Sequence, residues 1–392
     1  MIRPGPGDTL AGVILKTRRD VLVLGLLAVG ALPAAAREPA PVVAGHVVMH
    51  GAGRLADGVT ALYRALGFGP SLIEGDRVRD RLVRDLGAAS AAGIDPASPL
   101  GAVYVAEGAV MHRVPFVVVA DRRLVEAGIA PGTAVVPAGG RGALVLAPSD
   151  RVGAAVAEYV VASGLDREVA AAPVTFRFLA APFTDRSVPW LETQAEMLRG
   201  LARMASLFGK DDADLRLAAE AIDDLRALLD PWELVDGELF VARSGVRLVL
   251  RCVPHAGSEV DLALAAAPAL PIPAPAERRD VALRAETSVG TDALRRWVER
   301  LVAADAVRAA AHDERLVLTV PVEGALLPAL PGDGDGVVLR ATVSLGRLRS
   351  GDGAEAGAPV HLFARVERGA LRLELDAPSE QLRACVPRIE AR

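Results

Sequence analysis

The chain has 392 residues, 52% hydrophobic and 24% charged, with a net charge of −5; this suits a folded globular protein and excludes a disordered or fibrous one. Its basic residues are nearly all arginine, Lys16 and Lys210 being the only lysines, and they are interspersed with carboxylates. That mixing excludes the basic stripe of a nucleic-acid binder, and aromatics at 4% leave few surfaces for stacking sugars or bases.

The first twenty residues end in a basic cluster, Lys16-Thr17-Arg18-Arg19-Asp20, followed by an apolar run from Val21 to Leu32 and then Pro33. Ala34-Ala35-Ala36 comes next, immediately before Arg37. Basic head, short apolar core and small-residue cut site predict a signal peptide over 1–36, cleaved between Ala36 and Arg37. The apolar run is shorter than the roughly twenty residues a membrane-spanning helix needs, so no transmembrane span is expected after cleavage. Thr17-Arg18-Arg19-Asp20-Val21-Leu22 resembles the twin-arginine signature, Arg18 and Arg19 supplying the pair. The resemblance implies export of an already folded chain to the periplasm or beyond.

Residues 37–44 read as an extended leader, and 45–170 as a first α/β unit. Helices are predicted over 53–66, with Leu55, Val59, Leu62 and Leu66 on one stripe, and over 76–86. Strands follow at Ala102–Ala106 and Pro115–Ala120, then a short helix at 121–127. A hairpin joins Ala134–Pro137 to Ala143–Ala147, and a helix over 150–162 closes the unit. A middle unit, 171–267, begins with strand Val174–Leu179 and continues through two long helices, striped by Leu191, Leu198 and Leu201 and then by Leu215, Ile222 and Leu229. It ends in a hairpin of Leu239–Ala242 with Val246–Val253. The proline-rich stretch 268–276 is the candidate linker. A third unit, 277–392, has strands at Val281–Glu286, Arg315–Val320 and Val337–Leu345, and a helix carrying Leu294, Trp297 and Leu301. It closes with a hairpin of His361–Glu367 with Leu371–Asp376 and a short helix.

One element recurs. Gly142–Asp150, Gly245–Glu259 and Gly369–Glu380 each run from an alternating strand to a serine followed by an acid. Ser149, Ser258 and Ser379 are therefore predicted to cap helices rather than act as nucleophiles. The repeated strand–helix–hairpin rhythm predicts an α+β protein, antiparallel sheets with helices packed on one face. This layout resembles exported bacterial proteins of unknown function built from repeated α/β-hairpin units, a resemblance that implies no activity and no site residues.

Chemistry-bearing motifs are sparse. The chain holds no Gly-x-Ser-x-Gly elbow and no P-loop, and no cofactor is expected. His46 and His50, at i and i+4 with Met49 between them, are the candidate metal ligands, set in what reads as an edge strand or linker. Cys252 and Cys385, each in a Cys-Val-Pro tripeptide, are a candidate disulfide in an oxidising compartment, with two buried thiols as the alternative. The function expected is a non-catalytic binding or scaffold protein of the cell envelope, holding a small apolar ligand or an envelope protein. The rivals are an exported enzyme with a cofactor or metal, and a structural protein-interaction component of an envelope assembly.

Overall fold

The computed structural model describes residues 40–68, 74–85, 92–108, 110–139, 142–167, 170–207, parts of 215–226, 230–270, 280–289, 308–312, 315–326, 337–344 and 358–385. The strands are β1 (Val42–His50), β2 (Pro99–Glu107), β3 (Val110–Val118), β4 (Ala134–Ala138), β5 (Ala143–Ala147), β6 (Val174–Leu179) and β7 (Trp232–Ala242). They continue with β8 (Gly245–Pro254), β9 (Asp280–Thr287), β10 (Arg308–His312), β11 (Arg315–Leu326), β12 (Val337–Val343), β13 (Val360–Glu367) and β14 (Ala370–Pro378). Among the described residues the helices are α1 (Ala52–Ala65), α2 (Gly75–Asp85), α3 (Arg122–Glu126), α4 (Asp150–Ala162), α5 (Ala181–Leu207), α6 (Glu259–Ala266) and α7 (Ser379–Cys385).

All the strands join one antiparallel sheet, in the order β10-β11-β9-β12-β13-β14-β8-β7-β6-β1-β2-β3-β5-β4. The sheet runs through all three sequence units. Strand β14, near the end of the chain, pairs with β8 from Leu371 opposite Cys252 to Pro378 opposite Gly245. The stretch 268–276 therefore separates no sheets. Leu270 N–H donates to Val337 O at 2.7 Å on one side of it, and residues 271–276 lie outside the described region.

Two cores sit on opposite faces of the β1–β5 half. On one face Val48, Val103, Phe116 and Val145 pack under Val152, Val156 and Val160 of α4. On the other, Met49, Leu100, Val117 and Leu144 pack under Ala52 and Leu55 of α1 and Val83 of α2. The expectation of helices on one face is corrected here. Strand β5, ALVLA, is buried at every residue and has no polar side to give to water, so both its faces need a cover. Strand β14, ALRLELDAP, alternates, with Leu371, Leu373 and Leu375 on one face and Arg372, Glu374 and Asp376 on the other.

The leader expected over 37–44 is corrected too. Strand β1 begins at Val42 and lies in the middle of the sheet, between β6 and β2. Gly45 makes that position workable, because a Cβ there would stand 2.2 Å from the carbonyl oxygen of Arg177. Strand β7 starts at Trp232, seven residues before the expected Leu239, and β10 was not anticipated. Helix α5 starts ten residues before Leu191 and carries Pro189 inside it. It is anchored to the sheet where Phe183 meets Phe178 edge-on, 5.3 Å between ring centroids. The second long helix of the middle unit falls largely, and the helix of Leu294, Trp297 and Leu301 wholly, outside the described residues.

Two of the three serines cap helices as expected. Ser149 Oγ accepts from Val152 N–H at 3.3 Å and Ser258 Oγ from Asp261 N–H at 3.2 Å. Ser379 instead is the first residue of α7, and its own N–H donates to Ser244 O at 2.8 Å.

Candidate binding face

The face of the sheet that carries α4 over β1–β5 becomes charged as it crosses β6 onward. Strand register fixes which side chains meet. His46 stands opposite Arg177, Arg177 opposite Asp236, and Asp236 opposite Arg251. The same row continues with Arg251 opposite Arg372 and Arg372 opposite Arg365. The row beside it reads Glu238, Val249, Glu374, Phe363, Arg340 and Glu286.

The charges fall into three arrays, each a carboxylate gripped by two arginines. Asp236 accepts from Arg177 Nε at 2.6 Å and from Arg251 Nη1 at 3.3 Å. Glu374 accepts from Arg247 Nη2 at 2.7 Å and from Arg372 Nε at 3.1 Å. Glu286 accepts from Arg284 Nη2 at 2.5 Å and from Arg340 Nε and Nη2 at 3.0 and 2.8 Å. Depth differs between them. Asp236 is 22% exposed against 56% and 51% for its arginines, whereas Glu286 and Arg340 are nearly closed at 7% and 3%. Burial disfavours the Glu286 charge, but the hydrogen bonds from Arg340 and Arg284 outweigh it and hold the carboxyl below its ordinary value. Glu374 is held low in the same way, by Arg247 and Arg372 against burial.

At the near end of this face His46 is buried between β1 and α4, its Nδ1 2.8 Å from Tyr159 Oη. Burial, with Arg177 adding to it, pushes its pKa down to about 4. The imidazole is therefore neutral at pH 7. His50 is buried further along the strand, with Nε2 2.7 Å from Thr175 Oγ1.

This geometry corrects the metal reading of the histidine pair. Four residues along a strand at ~3.3 Å each separate their Cα atoms by ~13 Å, and side chains stand off a strand instead of converging along it. Each ring has a different partner, and Met49 points into the core on the opposite face. Among the described residues no group of three or more His, Cys, Asp or Glu side chains is placed to hold a metal ion. Cys252 is a free, buried thiol whose pKa burial pushes up to about 11. Cys385 ends α7, and its side chain lies outside the described residues, as do Arg18, Arg19, Ala36 and Arg37.

Sequence reasoning missed the charged face. Its signal was available locally, in the period-2 placing of Arg247 and Arg251 and of Arg372 and Glu374. What joins them is the pairing of β8 with β14, across more than a hundred residues. Fold and face together define an α+β protein with one wide antiparallel sheet, covered by helices on both sides at one end and arginine-rich on one side beyond. Comparison with family models, curated proteins and solved structures finds no match for this chain. Among the described residues no helix is long and apolar enough to cross a membrane.

Proposed function

We propose that the chain is an exported, non-catalytic binding or scaffold protein of the cell envelope, and that the charged sheet face receives its partner. The supporting observation is the arrangement of the outer arrays, in which half-exposed guanidiniums are clamped by less exposed carboxylates on a hydrogen-bonded sheet. Such arginines are pre-ordered, so binding has less side-chain entropy to overcome, and arginine is enriched at interfaces. The face favours a polar partner over the apolar ligand expected from composition. The passage from β5, β8 and β14 into helices that begin at or beside a serine is read as an internal duplication that widened this sheet.

Expression behind its own leader, followed by fractionation and native mass spectrometry with metal analysis, tests the reading. A mature chain starting at Arg37 in the envelope fraction, carrying a bound partner, is expected. A full-length chain kept in the cytoplasm, or a coloured or metal-loaded chain, would overturn it.

A further inference from the structure

The row Arg251, Arg372 and Arg365 breaks a rule that the rest of the sheet obeys. These three arginines are direct register partners on adjacent strands β8, β14 and β13. Side chains so placed have Cβ atoms ~5 Å apart, and like charges there repel. The neighbouring carboxylates do not fully relieve this. Asp236 is shared between Arg251 and Arg177, and Glu374 between Arg372 and Arg247. Glu367 approaches Arg372 only to 3.8 Å. Arg365 has no ion pair among the described residues. Its guanidinium carbon lies 5.2 Å from the Phe363 ring centroid, held by the ring face, and its Nε is buried with no hydrogen-bond partner.

We propose that this row binds the phosphate group of a ligand; the inference rests on the binding-face reading and names the chemistry that the face takes. A tetrahedral dianion has enough acceptor oxygens to bridge neighbouring guanidiniums. Its charge would offset that of the row and turn a repulsive row into a stabilised one. A lone carboxylate reaches one fork, not three.

Titration of the full mature chain with inorganic pyrophosphate, at ionic strength held constant with sodium chloride, tests the site. A parallel arm uses vesicles of phosphatidylglycerol against vesicles of phosphatidylcholine. Saturable binding in either arm, weakened at least tenfold by Arg365→Gln with Arg372→Gln and unchanged by Arg77→Gln, is the expected result. Binding to pyrophosphate identifies a soluble phosphate; binding to the anionic vesicles alone identifies a lipid headgroup. No saturable binding by the wild type in either arm, or equal binding by the double variant, overturns the proposal. Because the wild-type titration needs no variant, misfolding of a variant does not shield it. A protein partner still captured by a chain that binds no phosphate would sink this inference and leave the scaffold reading standing.

Discussion

Arg340 grips Glu286 across β12 and β9 with both Nε and Nη2 on one carboxylate oxygen, at 3.0 and 2.8 Å, where the two side chains are 3% and 7% exposed. Two charges this far from water are held by each other and by Arg284. Removing Arg340 leaves Glu286 with Arg284 alone and frees one carboxylate oxygen of its partner in a poorly solvated site. Arg340→Met is expected to cost about 3–5 kcal/mol in urea unfolding. Arg340→Met with Glu286→Leu should recover most of that, because no buried charge is left. A double variant as unstable as the single one would show that the pair contributes more than mutual neutralisation.

Acid should weaken the fold in two steps. His46 titrates at about 4 when folded, against 6.5 unfolded, so the unfolded chain takes up its proton first as pH falls. Its contribution is complete above pH 6.5 and is lost between there and pH 4, about 3 kcal/mol in all. The depressed carboxyls of Glu286 and Glu374 add stability above the ordinary carboxylate range that is lost as pH falls below it. Urea midpoints from pH 8 to pH 3 should show both steps, and His46→Gln should flatten only the upper one. An unchanged upper slope in that variant would remove His46 as its source.

Helix α1 lies close on β7 because Gly58 has no side chain. A Cβ at that position would stand 2.3 Å from Val241 O, and a backbone carbonyl cannot swing aside as a side-chain tip can. Gly58→Ala is therefore expected to lose about 1–3 kcal/mol, although alanine is the better helix former. A gain in thermal stability would mean that α1 does not seat on β7 in this way.

Cys252 should resist alkylation in the folded protein. Its thiol is buried on β8 and its pKa is pushed up to about 11, so little thiolate exists at pH 8. Peptide mapping after iodoacetamide should find it unmodified until denaturant is added; rapid labelling of the native chain would contradict its placement.

Much of the fold was legible from sequence, and the exceptions have physical causes. Helix α4 was expected over 150–162 and spans Asp150–Ala162, because its serine cap and apolar stripe are local signals. Strand β14 showed itself by strict alternation. Strand β1 was legible only as an edge strand or linker, because both its faces are buried, Val48 and His46 on one side and Met49 and Val47 on the other, and no contrast of period two marks it as central. His46 and His50 consequently looked like neighbours able to share an ion. Their separation follows only from knowing that the segment is extended. The charged face was hidden for another reason: Asp236, Arg251, Arg372 and Arg365 look like scattered surface charges until four strands pair.

The most direct test of the central claim is capture of the partner from native envelope extracts by the mature chain, beside a variant with Arg251→Glu and Arg372→Glu. Both arginines are well exposed, at 51% and 38%, so the change alters the face more than the core. The account predicts that the wild type retains a partner that withstands washing and that the reversed face loses it. Equal capture by both chains would place the binding surface elsewhere on the molecule and contradict the account.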